Sequence, residues 1–304
     1  MVPLSAALLR QHDDACNGAV IALLSNNDDF KRLAESEGTA IMRRDKEDEE
    51  KLREGIEIAK SRGILKSDSS PPPAPLQRID MASTSTQEAA EKIASMLPGR
   101  EGNIIVIHGL SGTGKGSTVK KLQGLLPRCV AWSNGNVFRS YTYLILEELQ
   151  GEVSNELLTS ELLQQVERQV KFEEIASGEF DIVLNGKTRV RDIENTLLKT
   201  PALNSAVPTV ARQMQGEVIR FATVAVEKLR ATGYNVILEG RTQTLNYIRT
   251  PLRFELVLSD PTLLGQRRAA QRVMAIALES LRDRLDVATV KDAEMAVLDA
   301  LSKL

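Results

Sequence analysis

The feature that most constrains the fold is the stretch NIIVIHGLSGTGKGST, residues 103–118. Its first half is an almost continuous run of β-branched residues, which is typical of a buried parallel strand. Its second half has four glycines in the eight positions 109–116, a lysine and two hydroxyls stand at its end, and a helical pattern follows. A strand, a glycine-rich turn and a helix in this order predict a loop whose backbone N–H groups hold phosphate.

The loop sequence also predicts what each side chain does. Lys115 is expected to bridge the outer phosphates of a nucleotide, and the Ser117 hydroxyl is expected to bind Mg²⁺. Gly116 directly follows the lysine, so the choice between Ser117 and Thr118 as the metal ligand stays open. The residues predicted to contact the phosphates of ATP are Gly109, Ser111, Gly112, Thr113, Gly114, Lys115, Gly116, Ser117 and Thr118. A glycine turn that binds nothing is the weaker alternative, because the whole motif and its context are present.

Alternating strands and helices predict an α/β fold with a parallel sheet and helices on both faces. The predicted strands are NIIVIHG, CVAWS, YNVILEG and RFELVLS. Between the second strand and a long helix lies an insertion of about residues 140–205, where FDIVLNGKTRV predicts a hairpin around Asn185-Gly186. The last residues, LDVATVKDAEMAVLDALSKL, predict a closing helix.

A proline-rich stretch divides the chain. Residues 1–65 predict a helical N-terminal extension with dense alternating charge, which indicates a solvated helix face. The sequence KSDSSPPPAPLQ cannot continue a helix, and we interpret residues 66–82 as a linker. Residues 83–304 are then the phosphate-loop domain, which opens with a capped helix in STSTQEAAEKIASML.

Composition excludes several classes of function. The net charge of −2 gives no global attraction to nucleic acid or membranes, so an anion site has to be local. No apolar run reaches the roughly 18 residues of a membrane span. Two distant cysteines fit a reducing compartment and predict a cytoplasmic protein, with an organellar signal left open. The two histidines show no zinc-site spacing, and His108 is expected to be a satisfied core residue.

Several motifs together resemble one enzyme family. The loop GLSGTGKGST resembles that of nucleoside monophosphate kinases, where GxxGxGKGT is usual. SNGNVFRSYTYL, VLNGKTRVRDIENTLLKTPALNSAVPTVARQ and NVILEGRTQTLNYIRTP are similar to motifs of the bacterial-type cytidylate kinases. The resemblance spans residues 103 to about 272. It implies a P-loop kinase-type sheet with a small inserted acceptor-binding subdomain, and Mg²⁺-assisted phosphoryl transfer from ATP to CMP or dCMP.

The resemblance also implies site residues outside the loop. The implied acceptor contacts are Asn134, Gly135, Phe138, Arg139, Ser205, Arg212, Arg241 and Thr242. Guanidinium groups suit a bidentate grip on a phosphate, and Arg139 and Arg241 are expected to act with Lys115 in catalysis. Glu239 ends a buried strand, where ligands bind in such sheets; it is expected to act at the metal, with a helix-capping role as the alternative.

A basic group follows the last predicted strand. Arg267, Arg268 and Arg272 lie on one helix, and Arg268 and Arg272 are assigned to ATP binding. They could clamp the transferring phosphoryl group or the adenine and ribose of ATP. A solvated basic helix face is the alternative.

Other features depart from the family. Thr242 stands where the family has an aspartate, and Asn134 and Phe138 replace a serine and a tyrosine. After Arg284 the chain has neither the arginine- and aspartate-rich lid nor a final strand with an Asp-Ser/Thr-Thr ending. Two alternatives therefore stand beside the cytidylate kinase: a P-loop kinase for another small acceptor, and a nucleotide-binding regulatory module. In the latter, residues 1–65 bind a protein partner or a second copy.

Overall fold

The computed structural model describes residues 4–11, 14–66, 72–284 and 286–304, with the side chains of residues 14 and 284 left aside. The strands are β1 (Gln77–Asp80), β2 (Ile104–Gly109), β3 (Cys129–Trp132), β4 (Val170–Ala176), β5 (Glu179–Leu184), β6 (Thr188–Arg189), β7 (Asn235–Gly240) and β8 (Arg253–Val257). The helices are α1 (Ala6–Leu9), α2 (Asp14–Leu24), α3 (Asp28–Ser61), α4 (Thr86–Ser95), α5 (Lys115–Leu125), α6 (Asn134–Glu148), α7 (Ser160–Gln169), α8 (Val190–Ile193), α9 (Pro201–Ala231), α10 (Thr242–Leu245), α11 (Thr262–Leu281) and α12 (Val290–Leu301). The fold is α/β.

Five parallel strands form the central sheet, in the order β1-β8-β2-β7-β3. Successive residues of β2 point to opposite faces, and both faces are covered. Ile105 and Ile107 pack with α4 and α5, whereas Ile104 and Val106 pack with Val226 on α9. The four strands predicted from the sequence are confirmed as β2, β3, β7 and β8.

The predicted linker over residues 66–82 needs correction, because it contains a strand of the sheet. β1 is the edge strand and pairs in parallel with β8. An edge strand has one free side, and only Ile79 of β1 is buried, so its sequence QRID carries little of a strand pattern. Residues 67–71 of the predicted linker lie outside the described residues.

The insertion builds a second, three-stranded antiparallel sheet of β4, β5 and β6. The hairpin predicted at Asn185-Gly186 is confirmed: both residues have positive φ, 53° and 67°, and they join β5 to β6. A two-residue turn with positive φ at both positions matches the right-handed twist of the strands that it joins. Apolar residues from this sheet, α6, α7 and α9 share one core.

The N-terminal helices pack closely on the rest of the chain. The long helix α3 crosses α11 where Gly38 meets Gly265, and it crosses α9 where Ala59 meets Gly216. Residues of α1 and α2 share an apolar core with α11 and α12. The predicted closing helix is confirmed as α12, and no helix in the described ranges is long and apolar enough to cross a bilayer.

Candidate functional site

The loop between β2 and α5 has the backbone of a phosphate cradle. Gly109, Gly112 and Gly114 have φ values of 147°, 83° and 90°, which residues other than glycine rarely adopt. A Cβ on Gly109 would lie 2.7 Å from both the Leu256 carbonyl oxygen and Thr113 Oγ1. The helix α5 begins at Lys115, directly after the loop, so its free first-turn N–H groups face the same place.

Lys115 lies folded over this loop. Its Nζ donates to the carbonyl oxygens of Gly109 and Leu110, each at 2.8 Å. Burial lowers the pKa of Lys115 and the nearby Arg241 lowers it further, while Glu239 and Asp45 act in the opposite direction. The ammonium is therefore partly desolvated and only loosely compensated, which favours the approach of an anion.

Ser117 and Glu239 are the two residues that the sequence assigns to a cation. Both side chains are exposed, whereas the Thr118 hydroxyl is buried without a hydrogen-bond partner in the described part of the chain. Those same residues hold no cluster of three potential metal ligands. Mg²⁺ commonly binds through one or two protein oxygens plus substrate phosphates, so Ser117 and Glu239 fit the expected ion. Exposure favours Ser117 over Thr118 as the ligand.

Arg241, at the end of β7, makes an ion pair that the sequence did not predict. Its Nη1 donates to Asp45 Oδ2 at 3.0 Å, and its Nη2 donates to Asp45 Oδ1. The same carboxylate accepts from the Ser111 backbone N–H at 2.8 Å and from the Ser111 hydroxyl at 2.7 Å. Asp45 comes from α3, so the N-terminal helix reaches the phosphate loop directly.

The Asp45 carboxylate is buried but ionised. Its side chain is 3% exposed. Burial raises its pKa, but the hydrogen bonds from Arg241 and Ser111 outweigh burial, and the pKa falls from 3.8 to about 2.

A cavity of about 600 Å³ opens beside Arg241. It is lined by Asp48, Lys51, Leu52, Glu54, Asn155, Pro208, Thr209, Ala211, Arg212, Gln215 and Arg241. The structure thus brings together two of the predicted acceptor residues, Arg212 and Arg241, and adds Lys51 as a third cation. Arg212 pairs with Glu54, yet its Nε is buried without an acceptor in the described residues.

The predicted residues on α6 do not line this cavity. Asn134 accepts a hydrogen bond from Trp132 Nε1 at 2.8 Å, and Phe138 packs on the core of the insertion. Arg139 has a buried Nε without a partner among the described residues, and a Cβ on Gly135 would lie 2.9 Å from its Nη1. Arg139 thus keeps a free donor near the start of α6. The exposed Ser205 hydroxyl donates to its own helix at the Pro201 carbonyl, 3.1 Å away.

Thr242 is exposed and stands at the outer end of a chain of hydrogen bonds that begins at the buried Arg253. Arg253 is 1% exposed and donates to His108 Nε2 at 3.1 Å. An arginine only donates, so His108 Nε2 must accept, and the proton on Nδ1 is directed to Thr242 Oγ1 at 3.1 Å. Burial, then the charges of Arg253 and Lys115, lowers the pKa of His108 from 6.5 to about 4. His108 is the satisfied core residue that the sequence predicted.

The basic residues of α11 have partners of their own. Arg272 pairs with Glu37 of α3, and Arg268 Nε lies 3.9 Å from the same carboxylate. Arg267 donates to the Met81 carbonyl oxygen at 2.7 Å, next to the end of β1. Arg268 and Arg272 therefore join α11 to α3 in this structure.

The charged residues that sequence reasoning missed here include Asp45, Asp48 and Lys51, which all lie on α3. A signal was present, because Ile41, Asp45, Asp48 and Leu52 follow helical spacing, which places two carboxylates in an apolar stripe. Comparisons with protein-family models and with curated proteins find no match for this chain.

Proposed function

We propose that the protein is an ATP-dependent phosphotransferase of the P-loop nucleoside monophosphate kinase type, with CMP or dCMP as the preferred acceptor. The observation that carries the proposal is the position of Arg241. Its Nη2 lies 3.3 Å from Oγ of Ser111 in the phosphate loop. Arg241 also lines the same cavity as Arg212. A donor site and an acceptor site therefore share one edge of the parallel sheet, where ligands bind in this class of fold.

The chemistry needs little from the protein beyond charge and position. Lys115 and the loop N–H groups hold the outer phosphates of ATP, and the arginines hold the acceptor phosphate. An acceptor phosphate oxygen forms the bond to the γ-phosphorus as the bond to the leaving ADP oxygen breaks. Ser117 and Glu239 would hold Mg²⁺, which would supply charge neutralisation on the phosphates. An ionised acceptor phosphate requires no general base.

The cavity has the mixed lining of a nucleotide site. Its cations suit a phosphate, and its apolar residues, Leu52, Pro208 and Ala211, suit a flat ring. Its volume of about 600 Å³ falls in the range of small-molecule pockets. Asp48 and Gln215 offer polar atoms for hydroxyl or amino groups.

A P-loop kinase for another small acceptor is the second candidate, and Thr242 favours it. The residue that would help to read a cytosine in the family is here a threonine held by His108. A hydroxyl carries no charge and distinguishes bases weakly. This candidate keeps the phosphate loop and changes only the acceptor.

A coupled ADP-release assay tests the proposal, with ATP, Mg²⁺ and a panel of CMP, dCMP, UMP, AMP and GMP. We expect the fastest turnover with CMP or dCMP. ATP binding with no turnover on any of the five would reject the nucleoside monophosphate kinase and favour another acceptor or a regulatory module.

Lys115→Ala tests the role of the loop in the same assay. It should lower kcat by about 100-fold or more, because it removes the cation that stabilises the transferring phosphoryl group. Lys121→Ala is the matched control, since Lys121 is an exposed lysine of the same helix, α5. Retained turnover in Lys115→Ala, with the fold intact by circular dichroism, would contradict the phosphate-loop interpretation.

A further inference from the structure

Helix α3, from the N-terminal part of the chain, packs firmly against the candidate site. Two close crossings fix it, one on each side of Asp45 along the helix. At one crossing, a Cβ on Gly265 would lie 2.0 Å from the Ala34 carbonyl oxygen; at the other, a Cβ on Gly216 would lie 2.5 Å from Ala59 Cβ. Backbones this close leave little freedom to slide, so the position of Asp45 is set by packing.

Ion pairs and hydrogen bonds hold the same helix beyond the crossings. Arg62, which follows α3, donates to the Gln213 carbonyl oxygen at 2.6 Å and to Glu217 Oε1 at 2.7 Å. Gln243, in α10, donates to Glu49 of α3 at 2.7 Å. The segment from Asp45 to Arg62 is therefore attached to two helices. One is α9, which carries Arg212, and the other is α10, which begins directly after Arg241.

The Asp45 carboxylate joins the two halves of the site. One oxygen accepts from the Ser111 N–H and from Arg241 Nη1, while the other accepts from the Ser111 hydroxyl and from Arg241 Nη2. Both oxygens therefore bridge the phosphate loop and the arginine. A bidentate carboxylate fixes the plane of a guanidinium as well as its position.

The same contacts leave room for substrates. Asp45 takes the Ser111 N–H, but no side chain of the described residues accepts from the N–H groups of Gly112, Gly114, Lys115 or Gly116, so these four donors are available to a phosphate. Arg241 has five N–H donors, of which Asp45 and Ser111 take three. The other two make no hydrogen bond within the described residues, and the Asp48 carboxylate lies 3.9 Å from Nη2 beside the cavity that Arg241 lines.

We propose that Asp45 is a positioning residue for phosphoryl transfer, which orients Arg241 toward the acceptor phosphate and ties it to the donor loop through Ser111. The proposal rests on the proposed function and adds to it that residues 28–61 are part of the active site. Without this carboxylate, the long side chain of Arg241 has many rotamers, and a misplacement of about 1 Å can cost 100-fold in rate.

Asp45→Asn tests the proposal, because it keeps the shape of the side chain and removes its charge. We expect kcat/KM for the acceptor to fall about 100-fold, while the Kd for ATP changes less than about threefold. Glu50→Gln is the matched control, since it removes one exposed carboxylate from the same helix. Unchanged kinetics, faster turnover or an equal loss of ATP affinity would each overturn the proposal; faster turnover would show instead that Asp45 blocks the site.

A double-mutant cycle shows whether Asp45 acts through Arg241. Once Arg241→Ala is present, adding Asp45→Asn should change kcat/KM for the acceptor less than about threefold. Independent, additive losses would overturn the proposal. If Asp45→Asn fails to fold, Asp45→Glu replaces it, because it keeps the charge and displaces it by one methylene; a loss of less than tenfold would then count against the proposal.

Binding separates this proposal from the proposed function. If the wild-type protein turns over none of the five acceptors, the proposed function fails, and the Kd for CMP is measured by calorimetry instead. At least a tenfold weaker Kd in Asp45→Asn than in the wild type supports the positioning role. Equal affinities, or no CMP binding by the wild type, overturn it.

Discussion

At the scale of single residues, His108 links the core to the edge of the site. The residue is 1% exposed and stays neutral because it is buried next to the cationic Arg253. Its neutral form accepts from Arg253 and donates to Thr242, so one imidazole sets the orientation of a predicted acceptor residue. The strand sequence predicted a core histidine, but the arginine behind it comes from β8 and became visible only in the fold.

This histidine should make the stability of the protein depend on pH. Its folded pKa of about 4 lies below the unfolded value of 6.5. Below 6.5 the unfolded chain binds a proton that the folded chain does not, so stability is fully present above 6.5 and is lost as the pH falls through about 4. From pH 7 to pH 5 this loss should reach about 2 kcal/mol.

The variant His108→Gln isolates that contribution, because a glutamine oxygen can accept from Arg253 and does not titrate. Urea unfolding at both pH values should show a smaller fall in stability for the variant than for the wild type, with a difference of about 2 kcal/mol. Equal falls would mean that His108 titrates normally in the folded protein.

At the scale of elements, the sequence was informative where local patterns decide the structure. The apolar strands, the Asn185-Gly186 hairpin, the capped helix α4 and the closing helix all follow from periodicity and turn chemistry. The edge strand β1 was missed, since one buried isoleucine does not make a pattern. Helical spacing marks Asp45 as part of the apolar stripe of α3, but it cannot identify the partners of Asp45, because Ser111 lies 66 positions and Arg241 lies 196 positions further along the chain.

The crossing of α3 with α11 depends on a residue without a side chain. A Cβ on Gly265 would lie 2.0 Å from the Ala34 carbonyl oxygen, so Gly265→Ala must push the two helices apart. We expect a cost of about 3 kcal/mol from this overpacking, and a fall in acceptor turnover as Asp45 moves away from Arg241.

The control for this change is Gly18→Ala in α2. Gly18 is exposed, and nothing would lie within 4 Å of its new Cβ. Alanine should stabilise that helix by about 0.5–1 kcal/mol, so thermal melts of the two variants should shift in opposite directions. A stable Gly265→Ala would show that α3 is free to shift on α11.

At the scale of the whole molecule, the N-terminal helices and the C-terminal helices form one unit. Leu4, Val20, Met274 and Leu301 belong to a single apolar core. A chain cut to residues 72–304 would expose the part of that core on α11 and α12. Light scattering on the shortened chain should therefore show aggregation, whereas a removable appendage would leave a stable monomer.

The shared core predicts that the order of the segments along the chain matters less than the packing between them. Leu4 and Leu301 lie in one core, so a short glycine–serine linker should join residue 304 to residue 1 at little cost. We expect the permuted chain, running from residue 72 to 304 and then from 1 to 66, to unfold in one cooperative step with a melting temperature near that of the wild type. It keeps β1 beside β8, and α3 remains covalently linked to α11 through α12. Separate transitions for α3 and the sheet, with Asp45 no longer coupled to acceptor binding, would show instead that the polypeptide between α3 and β1 holds the helix in place. A single transition with wild-type acceptor affinity would show that packing alone brings α3 to the phosphate loop.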